Sequence, residues 1–363
     1  MKNPLLVPEL REMLATGNSE GLQDFCEEMN PALAAELLSC LNPDEIWNVL
    51  NHAQPPLRAE IFTHFDEDVQ RELLSILNQN EMALLFTEMP PDDRADLFKR
   101  LSEEQREDVL RVMAYAERED IRRLAAYKEG TAGSVMTSDY ATVQGTMTVA
   151  EALEHLRLVA PNRETIYYAY VIDEQRRLQG FVSLKDLIVA RRDSRIADIM
   201  HHEVISIHAD EDREKAAQLI QKYDLIALPV VNHDNVLLGI ITHDDALDII
   251  VQEHTEDLEK FMAITGRHET GAYLRTPYWI HFKNRVYWIV GLAGLGLVSG
   301  MVIHTFEKTL TRMLILALYM PMVADTGGNT GSQSATVIVR ALALGEVSHR
   351  DVLKILWKEL RIS

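Results

Sequence analysis

The sequence predicts a multidomain chain with an α-helical part, an α/β part and membrane helices, and three observations support this. The first third of the chain has apolar residues three and four apart, interrupted by prolines. The middle third contains one short pattern twice, and the last quarter contains an uncharged run at 286–303. A run of that length is near the minimum that an α-helix needs to cross a bilayer.

The composition narrows the class of partner. The formal net charge of -20 argues against nucleic acid, whose binding requires a basic surface. It is compatible with cation binding and equally with an ordinary solvated acidic surface. Cys26 and Cys40 have no paired spacing, so we expect core thiols in a reducing compartment. The residues after Met1 are acidic and helical rather than apolar, so we expect no signal peptide and a cytosolic first two-thirds.

Residues 1–128 are expected to form a helical N-terminal domain. The apolar spacing is helical throughout, for example at Leu73, Leu74 and Leu77. Prolines mark the expected boundaries between short helices, because proline lacks an N–H donor and restricts the residue before it. These boundaries are Pro31, Pro43, Pro55 and Pro90. We therefore predict a curled, superhelical stack of short helices, an architecture typical of interaction or regulatory surfaces.

Residues 129–251 contain two copies of a strand followed by G-x-x-[ST]-x-x-D. The first copy of the motif runs from Gly180 to Asp186 and the second from Gly239 to Asp245. Two copies in register resemble a tandem pair of CBS domains, with repeats at 129–192 and 193–251. In that fold the hydroxyl and the aspartate of the motif cap the last helix of each repeat.

Pairs of CBS domains commonly bind adenine nucleotides in the cleft between the repeats. The resemblance therefore makes Lys185 and Asp186 candidate nucleotide-binding residues and ATP a candidate ligand. Plain helix capping without a ligand explains the same motif, and the sequence leaves both interpretations open.

A long acidic helical run follows the second repeat, from Asp244 to about Thr270. Leu247, Ile250 and Leu258 give it an apolar face at helical spacing. We expect its later part, residues 252–276, to be a connecting helix that joins the α/β part to the membrane.

Residues 277–363 are expected to hold two transmembrane α-helices, at about 284–306 and 313–340. Trp279 and Trp288 lie at the start of the first span, where amphipathic rings favour the membrane interface. Positive residues are concentrated before the first span and after the second, so both flanks are predicted to be cytosolic and the spans to form a hairpin.

A polar, glycine-rich segment lies inside the second span, at 321–335. Asp325 is ionisable, and such a residue at membrane depth indicates a functional site. We expect a break in the helix here, whose freed carbonyls, together with the amides of Asn329 and Gln333, orient a hydrated ion along a pore. A kinked helix with glycines that serve packing is the alternative. The segment does not distinguish Mg²⁺ from Ca²⁺, Mn²⁺ or Co²⁺.

Taken in order, these parts end in P-x-x-x-D-T-G-G-N-T-G-S-Q, and from about residue 30 the chain resembles the MgtE family of magnesium channels and transporters. The resemblance implies a multi-pass homodimer in the inner or plasma membrane, surrounded by lipid, with its pore on the two-fold axis. It implies that Mg²⁺ is transported and that cytosolic Mg²⁺ also closes the pore by binding between the helical domain, the CBS pair and the connecting helix. The pore residues that it implies are Asp325, Gly327, Gly328, Asn329, Gly331 and Gln333.

The resemblance also implies which acids sense cytosolic Mg²⁺. They are Glu60, Asp92, Asp93 and Asp96 in the helical domain, Asp212, Glu214, Asp224, Asp245 and Asp248 in the second repeat and the start of its last helix, and Glu253, Glu256 and Asp257 in the connecting helix. A physical reason exists beside the resemblance: acids that face one another across domain boundaries repel when bare, and a divalent ion draws them together.

One feature departs from the family pattern. The family has five spans and this sequence shows two, so we expect a truncated form that does not conduct ions alone. The alternative function is a membrane-tethered regulatory module that senses nucleotides or cations through its CBS pair. An enzyme is not supported, since the sequence has no nucleophile–base pattern, no P-loop lysine and no H-E-x-x-H motif.

Overall fold

A computed structural model describes residues 6–264, 276–343 and 346–362. The chain divides into two compact units, one reaching to His254 and the other beginning at Thr255. The first unit contains the helical domain and both α/β repeats, and the second contains long helices. The predicted fold class is confirmed for both parts of the first unit.

A series of short helices forms the N-terminal part, which we call the helical stack. They are α1 (Val7–Thr16), α2 (Ser19–Glu28), α3 (Pro31–Leu38), α4 (Pro43–Leu50), α5 (Pro55–Thr63), α6 (Glu67–Ile76), α7 (Gln79–Glu88), α8 (Pro91–Arg100), α9 (Glu103–Val112) and α10 (Tyr115–Ala125). From α3 to α10 the spacing between successive helix starts is constant. The stack is therefore a regular helical repeat, as the prolines predicted.

The constant period comes from the local sequence. Pro31, Pro43, Pro55 and Pro91 occupy the first helical turn, where a missing N–H costs nothing. Asn78 and Ser102 cap two helices that lack the proline. From α3 to α8, one position in each repeat is buried in a common core, and it holds Leu38, Leu50, Phe62, Leu74, Phe86 and Phe98.

In α5, α6 and α9, the residue three positions after the helix start is polar and supports the preceding helix of the stack. Arg58 Nε donates to Leu50 O at 2.9 Å, Gln70 Nε2 donates to Phe62 O at 3.2 Å, and Arg106 Nε donates to Phe98 O at 3.0 Å. Each donor thus reaches a carbonyl at the end of the preceding helix. Carbonyls at helix C-terminal ends have no partner within their own helix.

The two α/β repeats have the same topology. The first contains β1 (Tyr140–Gln144), α11 (Val149–Val159), β2 (Thr165–Ile172), β3 (Leu178–Ser183) and α12 (Leu184–Val189). The second contains α13 (Ile196–Ile199), β4 (Ile207–His208), α14 (Arg213–Tyr223), β5 (Ala227–Val231), β6 (Leu237–Thr242) and α15 (His243–Phe261). In each sheet the first strand pairs parallel with the second, and the second pairs antiparallel with the third.

The repeated motif has a structural explanation at each of its ends. Ser183 Oγ donates to Asp186 Oδ2 at 2.6 Å and accepts from the Asp186 N–H, and Thr242 Oγ1 donates to Asp245 Oδ2 at 2.5 Å. The predicted helix caps are thus present. The glycine is needed because a Cβ at Gly239 would lie 2.6 Å from Thr137 O. The glycine of the first copy meets an equivalent backbone carbonyl.

The second unit contains α16 (Tyr278–Thr305), α17 (Glu307–Arg312), α18 (Leu314–Ala343) and α19 (Val352–Ile362). Among the helices that the structure describes, α16 is long and apolar enough to cross a membrane, with a mean hydropathy of 2.0 and no burial within the chain. Helix α18 is slightly longer but does not reach the same apolarity. The predicted continuation of the connecting helix, beyond residue 264, lies outside the described residues.

The expected break in the second span is wrong. Helix α18 continues through Pro321 and through the whole glycine-rich segment. A continuous helix gives nearly every backbone N–H and C=O an internal partner, which outweighs the roughly 1 kcal/mol that each glycine costs in a helix. The segment therefore presents side chains, rather than freed carbonyls, to its surroundings.

Gly239→Ala is expected to lower the free energy of unfolding by about 1–3 kcal/mol, because the added methyl meets the Thr137 carbonyl. Gly145→Ala is the matched control, since a Cβ there has its nearest contact at 3.6 Å. Denaturant unfolding of both variants measures the difference. Equal stability of the two variants would contradict this account of the motif.

Candidate functional site

Carboxylates from three parts of the first unit come together in one acidic cluster, formed by Asp92, Asp93, Glu164 and Asp245. Pro91 starts α8 and places Asp92 and Asp93 in its first turn, and the Thr242 cap places Asp245 in the first turn of α15. Glu164 directly precedes β2. The cluster therefore joins the helical stack to both repeats.

The cluster is unfavourable as bare carboxylates. Burial raises the pKa of Asp92 well above its ordinary value, and the charges of Asp245 and Asp93 add to this. Asp93 keeps exposed surface, yet burial of its carboxyl by the surrounding protein, followed by the charge of Asp245, raises its pKa to about 7. Burial, followed by Asp245, raises the pKa of Glu164 to about 7.

The pKa of Asp245 is raised less than the pKa values of Asp93 and Glu164. Burial raises its pKa to about 6, while the hydrogen bonds from Thr242 oppose the rise and the charges of Asp244 and Asp248 add to it. Asp96 and Asp248 also raise the pKa of Asp93, and the nearby Arg100 lowers it. The cluster thus contains more negative charge than its neighbouring cations neutralise.

The donor set fits a hard divalent cation. Carboxylate oxygens are the ligands that Mg²⁺ and Ca²⁺ prefer. Asp92 Oδ1 is buried, and the residues described by the structure give it no hydrogen-bond donor. Within the same residues, no three acidic, histidine or cysteine side chains are already arranged to hold a metal ion. Binding would therefore require the carboxylates to adjust.

The structure brings five of the predicted sensing acids together. Asp92, Asp93 and Asp245 belong to the acidic cluster, and Asp96 and Asp248 act on it electrostatically. Asp96 also pairs with Lys99 at 3.1 Å. The stack and the second repeat supply these acids from distant parts of the sequence.

The other predicted sensing acids have local roles or lie apart from the cluster. Asp212 caps α14, Glu214 accepts from Gln218, and Asp224 ends α14 with a positive φ of 50°. Glu253 accepts a hydrogen bond from Arg213 at 2.8 Å. Glu60 is exposed on α5. Glu256 pairs with Lys260 and, like Asp257, belongs to the second unit.

Sequence reasoning missed Glu164 and Asp139. Burial raises the pKa of Asp139, which accepts from Arg163 at 3.3 Å and contributes to the raised pKa of Glu164. Neither residue belongs to a repeated motif, and both lie in irregular chain beside the first sheet. Only the packing of the stack against the repeats brings them close to α8 and α15.

The predicted pore residues all lie on α18. Asp325, Asn329 and Gln333 are four residues apart and share one helix face, so they form a polar stripe. All three are exposed in the single chain. The three predicted pore glycines, Gly327, Gly328 and Gly331, have no atom of the described chain within reach of an added Cβ. This leaves the helix surface open to another molecule.

The two candidate nucleotide-binding residues differ in whether their side chains already have partners. Burial alone would raise the pKa of Asp186, but hydrogen bonds from Ser183 and His201 outweigh burial and lower it. The Asp186 carboxylate is therefore already used by the cap and by His201 Nε2 at 3.1 Å. Lys185 is exposed.

Family models match most of the chain. The model of the MgtE intracellular N domain matches residues 29–130, the CBS domain model matches 132–193 and 196–252, and the model described as a divalent cation transporter matches 320–363. The matched order is the order expected from the sequence.

Two relatives carry the name magnesium transporter MgtE. The protein from Thermus thermophilus is 41% identical over 239 residues, which cover 65% of this chain and 52% of the relative. The protein from Bacillus subtilis is 36% identical over 233 residues, covering 64% and 51%. The chain spans about half of the length of these relatives.

Solved structures also match the first unit of this chain, among them the two that follow. The soluble part of a magnesium transporter is 32% identical with a TM-score of 0.64, and the match covers 68% of this chain and 97% of that structure. The cytosolic domain of the Mg²⁺ channel MgtE in complex with ATP is 36% identical with a TM-score of 0.63, covering 66% and 98%.

The acidic cluster predicts an unusual pH dependence in the absence of divalent ions. Asp93, Glu164 and Asp245 have folded-state pKa values above their unfolded values, so the folded state binds more protons between about pH 4 and pH 7. The stability that these groups contribute is then highest near the acid end of this window and falls as the pH rises through 6 and 7.

The measurement is thermal unfolding in chelator between pH 5 and pH 8. The wild type is expected to be less stable at pH 8, and the double variant Asp93→Asn/Asp245→Asn is expected to have a flatter profile. A double variant that keeps the wild-type slope would show that other groups cause the dependence.

Proposed function

Because the chain belongs to the MgtE family, we propose that it is the cytosolic sensor and part of the pore of a magnesium channel or transporter that cytosolic Mg²⁺ closes. The acidic cluster is the observation that carries this proposal. It brings α8 of the stack next to the start of α15, and its pKa values, raised first by burial and then by neighbouring carboxylates, indicate that the charged carboxylates cost free energy in this arrangement.

Regulatory Mg²⁺ would be held by Asp92, Asp93 and Asp245, with Asp96 and Asp248 nearby. The ion supplies positive charge that offsets the repulsion, and it therefore binds the compact arrangement better than an open one. Helix α15 begins in the second repeat and ends at Phe261 in the second unit, so a change at its start acts on a helix that both units share. High Mg²⁺ would thus favour the closed state, which is a feedback.

The proposal also includes the remaining predicted sensing acids, as ligands that a cation reaches after those of the acidic cluster. They are Glu60, Asp212, Glu214, Asp224, Glu253, Glu256 and Asp257. Most of them hold a local partner, which a cation would have to replace. A cation at Asp92 meets less competition, since its buried Oδ1 accepts no hydrogen bond from the described residues.

The transported ion is proposed to be Mg²⁺, passing beside the stripe of Asp325, Asn329 and Gln333. One carboxylate and two amides suit an ion that keeps several of its waters. A second copy of the chain would complete the pore as a homodimer, for which the exposed face of α18 leaves room. The protein would span the inner or plasma membrane several times, with its first unit in the cytosol. The relatives are transporters, and we propose no enzymatic activity.

ATP is a second proposed ligand, because the similar cytosolic domain was solved with ATP. The exposed Lys185 could contact a phosphate from the N-terminal turn of α12, whereas Asp186 is held by its cap. This observation also supports the alternative function, a membrane-tethered CBS module that senses nucleotides or cations, with α16 as its anchor.

The sensor proposal predicts that Mg²⁺ slows limited proteolysis of the purified protein. In Asp93→Asn/Asp245→Asn the ratio of digestion rates without and with millimolar Mg²⁺ is expected to fall by about tenfold, because both the repulsion and the ligands are reduced. Asp68→Asn is the matched control, since Asp68 lies in the stack and pairs locally with Arg71 at 3.3 Å. A wild type that digests equally with and without Mg²⁺ would remove the proposal.

The nucleotide proposal predicts that ATP binds to the purified protein and that Lys185→Ala weakens binding by about tenfold, through loss of a charged hydrogen bond. Lys222→Ala, on the exposed end of α14, is the control. Isothermal titration calorimetry measures both. Equal affinities in the two variants would show that Lys185 does not contact the nucleotide. A wild type that binds no ATP would overturn the nucleotide proposal.

A further inference from the structure

Arg94 departs from the repeat to which it belongs. It occupies the recurring polar position that Arg58, Gln70 and Arg106 occupy in their own helices. Those three side chains hold the end of the preceding helix. Arg94 Nη2 instead donates to Asp120 Oδ2 of α10 at 3.4 Å, and its Nε is buried without an acceptor among the described residues.

Asp120 connects the stack to the segment that precedes β1. Its Oδ2 atom also accepts from Ser138 Oγ at 2.8 Å, and its Oδ1 atom accepts from Arg123 at 2.6 Å. The Arg94 side chain is 8% exposed and the Asp120 side chain 20%. The ion pair therefore lies largely inside the protein, where a hydrogen bond to a charged group is stronger than at the surface.

Ser138 is fixed to the second repeat by its neighbour. The Thr137 N–H donates to Ile240 O at 2.8 Å, and the Ile240 N–H donates to Thr137 O at 3.0 Å. Thr137 is fully buried. Ile240 belongs to β6, which ends at Thr242, the residue that holds Asp245. A hydrogen bond at Ser138 thus acts on the same strand that positions the acidic cluster.

Apolar packing surrounds this connection. Ala95 and Leu124, which lie on α8 and α10 close to Arg94 and Asp120, pack in one cluster with Met136 and Ile207. The stack therefore contacts the second repeat through apolar side chains and through this ionic connection, and both favour the arrangement that the acidic cluster opposes.

We propose that Arg94, Asp120 and Ser138 form a cation-independent latch that holds the helical stack on the second repeat and thereby sets how much divalent cation the closed state needs. The proposal rests on the proposed sensor function. The latch offsets part of the repulsion in the acidic cluster, so less binding energy is required from the ion. Without the latch, the same closure would require a higher Mg²⁺ concentration.

Ser138→Ala tests the latch without changing any charge. It removes the donor to Asp120, and we expect the Mg²⁺ concentration at half-maximal protease protection to rise about two- to fivefold, because one lost hydrogen bond is a small part of the free energy of closure. Ser134→Ala is the matched control. Ser134 lies four residues earlier and its hydroxyl donates to Thr131 O, within its own segment.

Arg94→Met and Arg106→Met form a second pair, at equivalent positions of the stack. Both should lower the melting temperature, but only Arg94→Met should increase the rate of digestion in chelator relative to its loss of stability. Equal Mg²⁺ midpoints in Ser138→Ala, Ser134→Ala and the wild type would overturn the latch, while a wild type without any Mg²⁺ response would overturn the sensor function instead. Faster digestion of Ser138→Ala in chelator would support the latch in either case.

Discussion

Burial of, and repulsion between, the carboxylates at the starts of α8 and α15 is the constraint on which the arrangement of the first unit depends. Burial and mutual charge raise the pKa values of Asp92, Asp93 and Asp245 together, so none of the three relieves the others. The cluster must bind protons, attract a cation or be offset by favourable contacts elsewhere. The apolar contacts of α8 and α10 with the second repeat are favourable and offset part of this cost. The carboxylate oxygens of the cluster are suited to bind a divalent cation.

The local sequence at two helix starts places the carboxylates of the cluster. A proline begins α8 and a threonine cap begins α15, and both devices place carboxylates in a first helical turn. The positive end of each helix dipole partly stabilises those charges. In the helical stack, Arg58 and Arg106 bind the carbonyl ends of the preceding helices, and Arg106 thereby helps to fix the helix that carries Asp92 and Asp93.

The second unit follows a different constraint, the need of every backbone group in lipid for a partner. This favours one uninterrupted helix through the glycine-rich segment of α18, with function left to side chains. The apolar side chains of α16 are exposed in the single chain and fit lipid or neighbouring helices. In the homodimer that we propose, the polar stripe at Asp325, Asn329 and Gln333 would face a water-filled path between the two copies.

The sequence by itself determined the helical stack, the paired repeats, the caps at Ser183 and Thr242 and the long apolar helix α16, because each depends on residues close together in the chain. It also indicated Asp92 and Asp245 as partners through the family resemblance. Only the tertiary structure decided that Glu164 joins them, that Arg94 turns to Asp120, and that α18 stays helical. These outcomes depend on the packing of distant elements and on complete pairing of the backbone, which local sequence patterns do not express.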